Sequence, residues 1–84
     1  MTEKTMTEHA QEASREHLIE HARAAYPILQ YFVWAHLPEK LRAISEPFSL
    51  LAYNIALNSP KNAETSAALR KLLEAKDCAV RAAL

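Results

Sequence analysis

Four prolines divide a chain of 84 residues that contains no glycine, and this combination constrains the fold more than any other feature of the sequence. Abundant Ala, Leu, Glu, Lys and Arg favour helices throughout. Proline fits the first turn of a helix and disfavours helical geometry in the residue before it, so Pro27, Pro38 and Pro60 are expected to separate helices. The sequence therefore predicts an all-α fold, with Pro47 lying inside one of the helices.

The N-terminal part of the chain, residues 1–35, is predicted to be a helical lead-in. Residues 2–25 have a helical pattern whose apolar face is mostly alanine, and the first several residues are expected to fray. A dense group of large apolar and aromatic side chains follows Pro27. These side chains fill the core or a subunit interface, and one or two of the aromatic rings could instead stack on a ligand base. The group comprises Ile28, Leu29, Tyr31, Phe32, Val33, Trp34 and Leu37.

Residues 36–84 are predicted to form a kinked antiparallel helical hairpin, with residues 38–57 packed against residues 62–84. Apolar residues recur at steps of three and four in both segments, and the linking turn is short. Pro47 is expected to kink the first helix near residues 43–47. Asn58 suits left-handed geometry at the helix end, and Ser59 and Asn62 compete to cap the second helix. The residues expected to be buried are Leu41, Ile44, Leu51, Leu69, Leu72 and Leu73.

Length and composition favour one small domain, residues 1–84, that self-associates. Such short chains bury only about 60% of their surface and are usually stabilised by disulfides, metals or oligomerisation. The single Cys78 excludes an internal disulfide and is expected to be buried and inert, so oligomerisation remains as the stabilising device.

The ten basic and ten acidic residues balance, which argues against binding to long nucleic acid. Lack of a long apolar run or a signal peptide predicts no membrane association and a cytoplasmic location.

One histidine pair has the spacing of a metal-binding motif. His17, Glu20 and His21 spell the H-x-x-E-H pattern of a zinc-peptidase class, with both imidazoles on one helical face. A catalytic zinc also needs a third protein ligand and a cleft, so adventitious metal binding is favoured over catalysis. The serines have no companions typical of a catalytic triad. We therefore expect no catalytic residues, no resident metal and no cofactor, and hence a protein that is not an enzyme.

Aromatic and basic residues come together on both sides of Pro38. Trp34 and His36 precede it, and Lys40 and Arg42 follow it. The simpler interpretation is solvated charge at the start of a helix. The functional interpretation is a pocket for a small phosphate ligand that another subunit completes.

The second half of the chain, roughly residues 36–84, resembles the helical-hairpin family of phage anti-CBASS and anti-Thoeris proteins. The similarity lies in His36-Leu37-Pro38, Pro47-Phe48, Leu51-Ala52, Pro60, Glu64, Ala68-Leu69, Leu72, Glu74-Ala75, Ala79 and Ala82-Ala83. The resemblance implies compact hexamers that sequester cyclic di- or trinucleotide second messengers without cleaving them, in the cytoplasm of a bacterial host. It also implies pockets between protomers, where Trp34 or His36 would stack on a base and Lys40 and Arg42 would meet phosphates.

Two other classes of function stay open at this point. A helical interaction module could inhibit a protein partner by surface contact, as the aromatic cluster and the zero net charge suggest. A metal-dependent enzyme would depend on His17 and His21, and this is the least favoured of the three.

Overall fold

The computed structural model describes residues 6–84, with side-chain surroundings from Arg15 onward. It contains α1 (Met6–Ala25), a 3₁₀ segment (Pro27–Phe32), α2 (Glu39–Asn58) and α3 (Ala63–Ala82). All regular structure in this part of the chain is helical, which confirms the predicted all-α class. The expected fraying of the first residues concerns positions outside the described range.

The proline breaks lie where the sequence predicts them. The Tyr26 amide donates to the Ala22 carbonyl at 2.8 Å and ends α1, and Pro27 opens the 3₁₀ segment. The Pro38 carbonyl accepts hydrogen bonds from the Leu41 and Arg42 amides, each at 2.9 Å. Pro38 thus precedes the first turn of α2, a position where its missing N–H costs no intrahelical bond.

Asn62 caps α3, which settles the choice between Ser59 and Asn62. The Asn62 side chain accepts a hydrogen bond from the Thr65 amide at 3.0 Å, and the Thr65 hydroxyl donates to the Pro60 carbonyl at 2.6 Å. The prediction of left-handed geometry at Asn58 is wrong, since no described residue has a positive φ. Ser59 instead leaves α2 in an extended conformation while its amide still bonds the Ile55 carbonyl at 2.9 Å.

The 3₁₀ segment lies at the centre of the packing. It contacts all three helices, and α2 and α3 share the most extensive helix–helix contact. Leu29 and Phe32, which follow Pro27 on one face of the segment, are completely buried. The core interpretation of the aromatic-rich stretch is therefore confirmed for these two residues, whereas Tyr31 and Val33 are exposed. The buried apolar residues are Ala22, Tyr26, Leu29, Phe32, Ala52 and Leu69.

The buried face of α2 differs from the predicted one. Its buried residues are the small side chains Ser45, Ser49 and Ala52. Leu51 is 49% exposed, so the prediction that it is buried is wrong for the single chain. Small side chains let the α2 backbone approach its neighbours closely, and large residues of those neighbours fill the space. Leu69 is buried as predicted, whereas Leu41, Ile44, Leu72 and Leu73 are half-buried.

Cys78 is exposed rather than buried, which contradicts the prediction for this thiol. It lies on the outer side of α3, where the Arg81 guanidinium donates to its sulfur at 3.3 Å. The alanines near it in sequence are half-buried or exposed, because α3 buries only the side that carries Thr65 and Leu69.

Within residues 6–84 no helix combines the length and the apolar character needed to cross a membrane.

Candidate functional site

A cavity of about 470 Å³ lies between α1 and α2 and is bounded at one side by the residues that follow the 3₁₀ segment. Its volume falls within the roughly 300–1,000 Å³ of typical ligand pockets. We call it the α1/α2 groove. The residues that line it are Arg15, Leu18, Ile19, Arg23, Phe32, Val33, Trp34, Ala35, Ser49, Leu50, Tyr53 and Leu57.

Large apolar side chains form both walls of the groove and remain partly in solvent. Leu18 and Ile19 of α1 are 47% and 38% exposed, and Leu50 and Leu57 of α2 are 63% and 43% exposed. Exposed apolar side chains that gather on one surface are typical of a binding or interaction site. The groove is therefore mostly apolar, and its polar groups are the hydroxyls of Ser49 and Tyr53 and the guanidinium groups of Arg15 and Arg23.

Two arginines of α1 give the groove its positive charge. Arg15 and Arg23 are eight residues apart, or roughly 12 Å along a helix, and Ile19 lies midway between them. The Arg23 Nε donates to the Tyr53 hydroxyl at 2.6 Å, which fastens α1 to α2. The Arg23 guanidinium carbon is 5.9 Å from the Tyr53 ring centroid, a separation that follows from this hydrogen bond at the edge of the ring.

Sequence reasoning missed these arginines as site residues. The signal that could have found them is their spacing, because Arg15, Ile19 and Arg23 follow at steps of four and share one helical face. Leu50 and Leu57 of α2, which also line the groove, were likewise not among the predicted site residues.

The four predicted site residues, which lie on either side of Pro38 in the sequence and which we call the ligand corner, do not all line the groove. Trp34 is half-buried and lines it. His36 and Lys40 are exposed, and Arg42 is half-buried in the first turns of α2. The Leu37 amide donates to the Trp34 carbonyl at 3.0 Å, and this turn brings the aromatic residue and the start of α2 together.

The start of α2 has features that suit an anion and one that opposes it. Pro38 at the N-cap makes no side-chain hydrogen bond to the first-turn amides. These amides and the positive end of the helix dipole attract an anion. The carboxylate of Glu39 in the first turn offsets part of that attraction. Lys40 and Arg42 therefore have to supply most of the positive charge at this corner.

The histidine pair keeps the geometry that its spacing predicts. The rings of His17 and His21 stack with centroids 6.3 Å apart and planes inclined by 25°, and both residues are exposed. In the described part of the chain no group of three His, Cys, Asp or Glu residues could hold a metal ion. Two imidazoles fall short of the three protein ligands typical of catalytic zinc.

The site thus combines an aromatic ring, apolar walls and arginines, an arrangement suited to binding by shape, stacking and charge. A scan against protein-family models matches no family, and searches of curated proteins and of solved structures find no similar protein.

Proposed function

We propose that the protein is a homo-oligomeric binding protein that sequesters a cyclic di- or trinucleotide second messenger between its subunits without cleaving it. The observation that carries the proposal is that the half-buried Trp34 precedes the start of α2 by a short turn and that the first turns of α2 bear Lys40 and Arg42. His36 lies within that turn. The resemblance of residues 36–84 to phage anti-CBASS and anti-Thoeris proteins supports the same function and a hexameric assembly.

The chemistry of this corner suits a cyclic nucleotide. A base stacked on Trp34 or His36 would gain about 1–3 kcal/mol, by analogy with single-stranded sites. Lys40 and Arg42 would donate charge-assisted hydrogen bonds to the phosphates. Since a cyclic ligand carries few charges, two basic residues per subunit suffice, and a protein of zero net charge can bind it. The ligand is held by stacking and by hydrogen bonds and is released intact.

Self-association is supported by the surface of the single chain. Large apolar side chains of the described residues remain in solvent, among them Leu50 at 63% and Leu57 at 43%, and exposed apolar side chains that gather on one surface are typical of an interaction site. A second subunit packed against these side chains would remove them from water. It would also complete the ligand corner, because one chain of 84 residues offers a wall and a neighbour offers the other.

The proposal is tested by titrating the purified protein with cyclic di- and trinucleotides in an isothermal calorimeter. Tight binding is expected for at least one ligand, and denaturation should return that ligand with unchanged mass. Trp34→Ala and Arg42→Gln should each weaken binding at least tenfold, whereas Arg70→Gln, on the exposed side of α3, serves as the matched control. Unchanged affinity in both site variants would exclude this corner as the pocket.

A second candidate function is a helical interaction module that inhibits a protein partner by surface contact. Exposed apolar residues away from the ligand corner favour it, among them Tyr31 at 58% and Leu51 at 49%. If no cyclic nucleotide binds, this function takes precedence. It predicts that Tyr31→Ser and Leu51→Ser abolish capture of a specific partner by immobilised protein without lowering thermal stability.

A further inference from the structure

We propose that the α1/α2 groove binds a single-chain anionic amphiphile of the fatty-acid class, with its alkyl chain between the two helices and its carboxylate on Arg23. This site is separate from the nucleotide contacts proposed for His36, Lys40 and Arg42 and does not depend on them. Three features of the groove carry the assignment: its elongated form, its apolar walls and the place of its positive charge.

The groove is elongated and reaches into the core. It is lined by residues within 15–23 of α1 and within 49–57 of α2, so each wall extends over roughly 12 Å of helix. Phe32 and Ser49, which also line it, are only 0% and 5% exposed. A cavity of about 470 Å³ with a buried floor suits a slender ligand better than the flat face of a protein partner.

The walls offer apolar contact to both sides of an alkyl chain. Leu18 and Ile19 lie on the α1 wall and Leu50 and Leu57 on the α2 wall, and all four are between 38% and 63% exposed. Each methylene group that leaves water and becomes fully buried on such a surface tightens binding about fourfold. Chain length should therefore decide much of the affinity.

The charge of the groove selects an anionic head group. The Arg23 Nε donates to the Tyr53 hydroxyl at 2.6 Å, and this bond holds the guanidinium at the exposed rim, where its terminal nitrogens are further donors. Guanidinium groups bind carboxylates through two parallel hydrogen bonds. Within residues 15–84 no carboxylate forms an ion pair with Arg23, and none of the described residues that line the groove is acidic. Arg15 adds positive charge on the same face of α1.

An amphiphile satisfies both parts of the groove at once. A compact anion bound at Arg23 would leave the leucine walls in water, and an uncharged apolar molecule would leave the guanidinium without a charged acceptor. A carboxylate joined to an alkyl chain meets both requirements, with the head at the rim and the chain over Phe32.

The single tryptophan provides the readout, because Trp34 lines the groove. Dodecanoate, added to the full-length protein below its micelle concentration, should shift the Trp34 fluorescence and saturate at one molecule per subunit, with calorimetry as a second measurement. Dodecanol, which lacks the charge, should bind about tenfold more weakly or worse. From octanoate to decanoate to dodecanoate, each pair of added methylenes should tighten binding by up to about 15-fold.

Two matched pairs of variants test the contacts. Leu50→Glu places a carboxylate on the apolar wall and should weaken dodecanoate binding about tenfold or more. Leu51 is comparably exposed but does not line the groove, so Leu51→Glu should change the affinity less than about threefold. Arg23→Gln should abolish the preference for dodecanoate over dodecanol, whereas Arg70→Gln, on the exposed side of α3, should keep it. Circular dichroism checks that each variant keeps its helices.

Three results would overturn the assignment: equal affinity for dodecanol and dodecanoate, full affinity in Leu50→Glu, or no saturable binding of dodecanoate. If dodecanoate fails to bind and the parent protein sediments as an oligomer, a neighbouring subunit covers the groove and the proposed function stands. Arg42→Gln separates the two proposals, because it should weaken binding of the nucleotide and leave the affinity for dodecanoate unchanged.

Discussion

The burial of Leu69, compared with the exposure of Leu51, gives a quantitative test of how the helices pack. Leu69 is 0% exposed and lies in the core, whereas Leu51 is 49% exposed on α2. Replacement of leucine by alanine removes three carbons, worth about 0.8 kcal/mol each when fully buried. At Leu69 a cavity term adds to this loss, so that the total expected destabilisation is about 3–5 kcal/mol.

At Leu51 the same truncation should cost much less. About half of the side chain is already in water, and no cavity can form on an open surface, so we expect a loss of about 1 kcal/mol. A chain of 84 residues has a total stability of roughly 4–13 kcal/mol. Leu69→Ala should therefore remove a large fraction of the stability, and Leu51→Ala a small one.

Urea unfolding followed by circular dichroism measures the loss in the free energy of unfolding for Leu69→Ala and for Leu51→Ala. The measurement is repeated at two protein concentrations. A contribution from subunit contacts changes with concentration, whereas the contribution of the core of one chain does not. The difference between the variants should reach about 2 kcal/mol at either concentration. Equal losses for Leu69→Ala and Leu51→Ala, or a loss below about 1 kcal/mol at Leu69, would refute the packing described here.

Three further predictions concern local contacts. Asn62→Ala should lower the free energy of unfolding by about 1 kcal/mol because it removes the cap of α3. The Ser59 side chain does not cap α3, so Ser59→Ala should change that free energy by no more than about 0.5 kcal/mol. Urea unfolding measures both variants, and equal losses would contradict the cap. Tyr53→Phe removes the hydroxyl that accepts from Arg23 and should cost at most about 1 kcal/mol because the bond is exposed, with a larger loss indicating a buried contact. The native Cys78 thiol should react with Ellman's reagent nearly as fast as in denaturant, and strong protection would show that it is covered.

The boundaries of the helices were predictable because they depend on local chemistry. Proline restricts its own φ and the conformation of the residue before it, and this effect is independent of the rest of the fold. The breaks at Pro27 and Pro38 follow from it. For the cap of α3 the sequence offered Ser59 and Asn62, and the structure selects Asn62, whose side chain accepts from the amide three residues later. The assignment of Asn58 failed because extended backbone at Ser59 ends α2 equally well.

The candidate site was predictable only in part. Trp34 could be singled out by its residue type and its place before Pro38, and it does border the groove. Arg15 and Arg23 were not singled out, because both lie more than ten residues before Trp34 in the sequence. They reach the groove only when α1 packs on α2. That packing includes the long-range contact between Arg23 and Tyr53, thirty residues apart.

By itself the sequence determined the helical class and most of the places where helices begin and end. It left open which of the large side chains after Pro27 enter the core, where the structure places Leu29 and Phe32. Only the tertiary structure decided which side of α2 faces inward. Periodicity marks where apolar residues recur, but the core accepts the side that fits the space left by its neighbours, and close approach to the 3₁₀ segment and α3 requires small side chains. Ser45, Ser49 and Ala52 therefore lie inside, and the larger Leu50 and Leu51 remain at the surface.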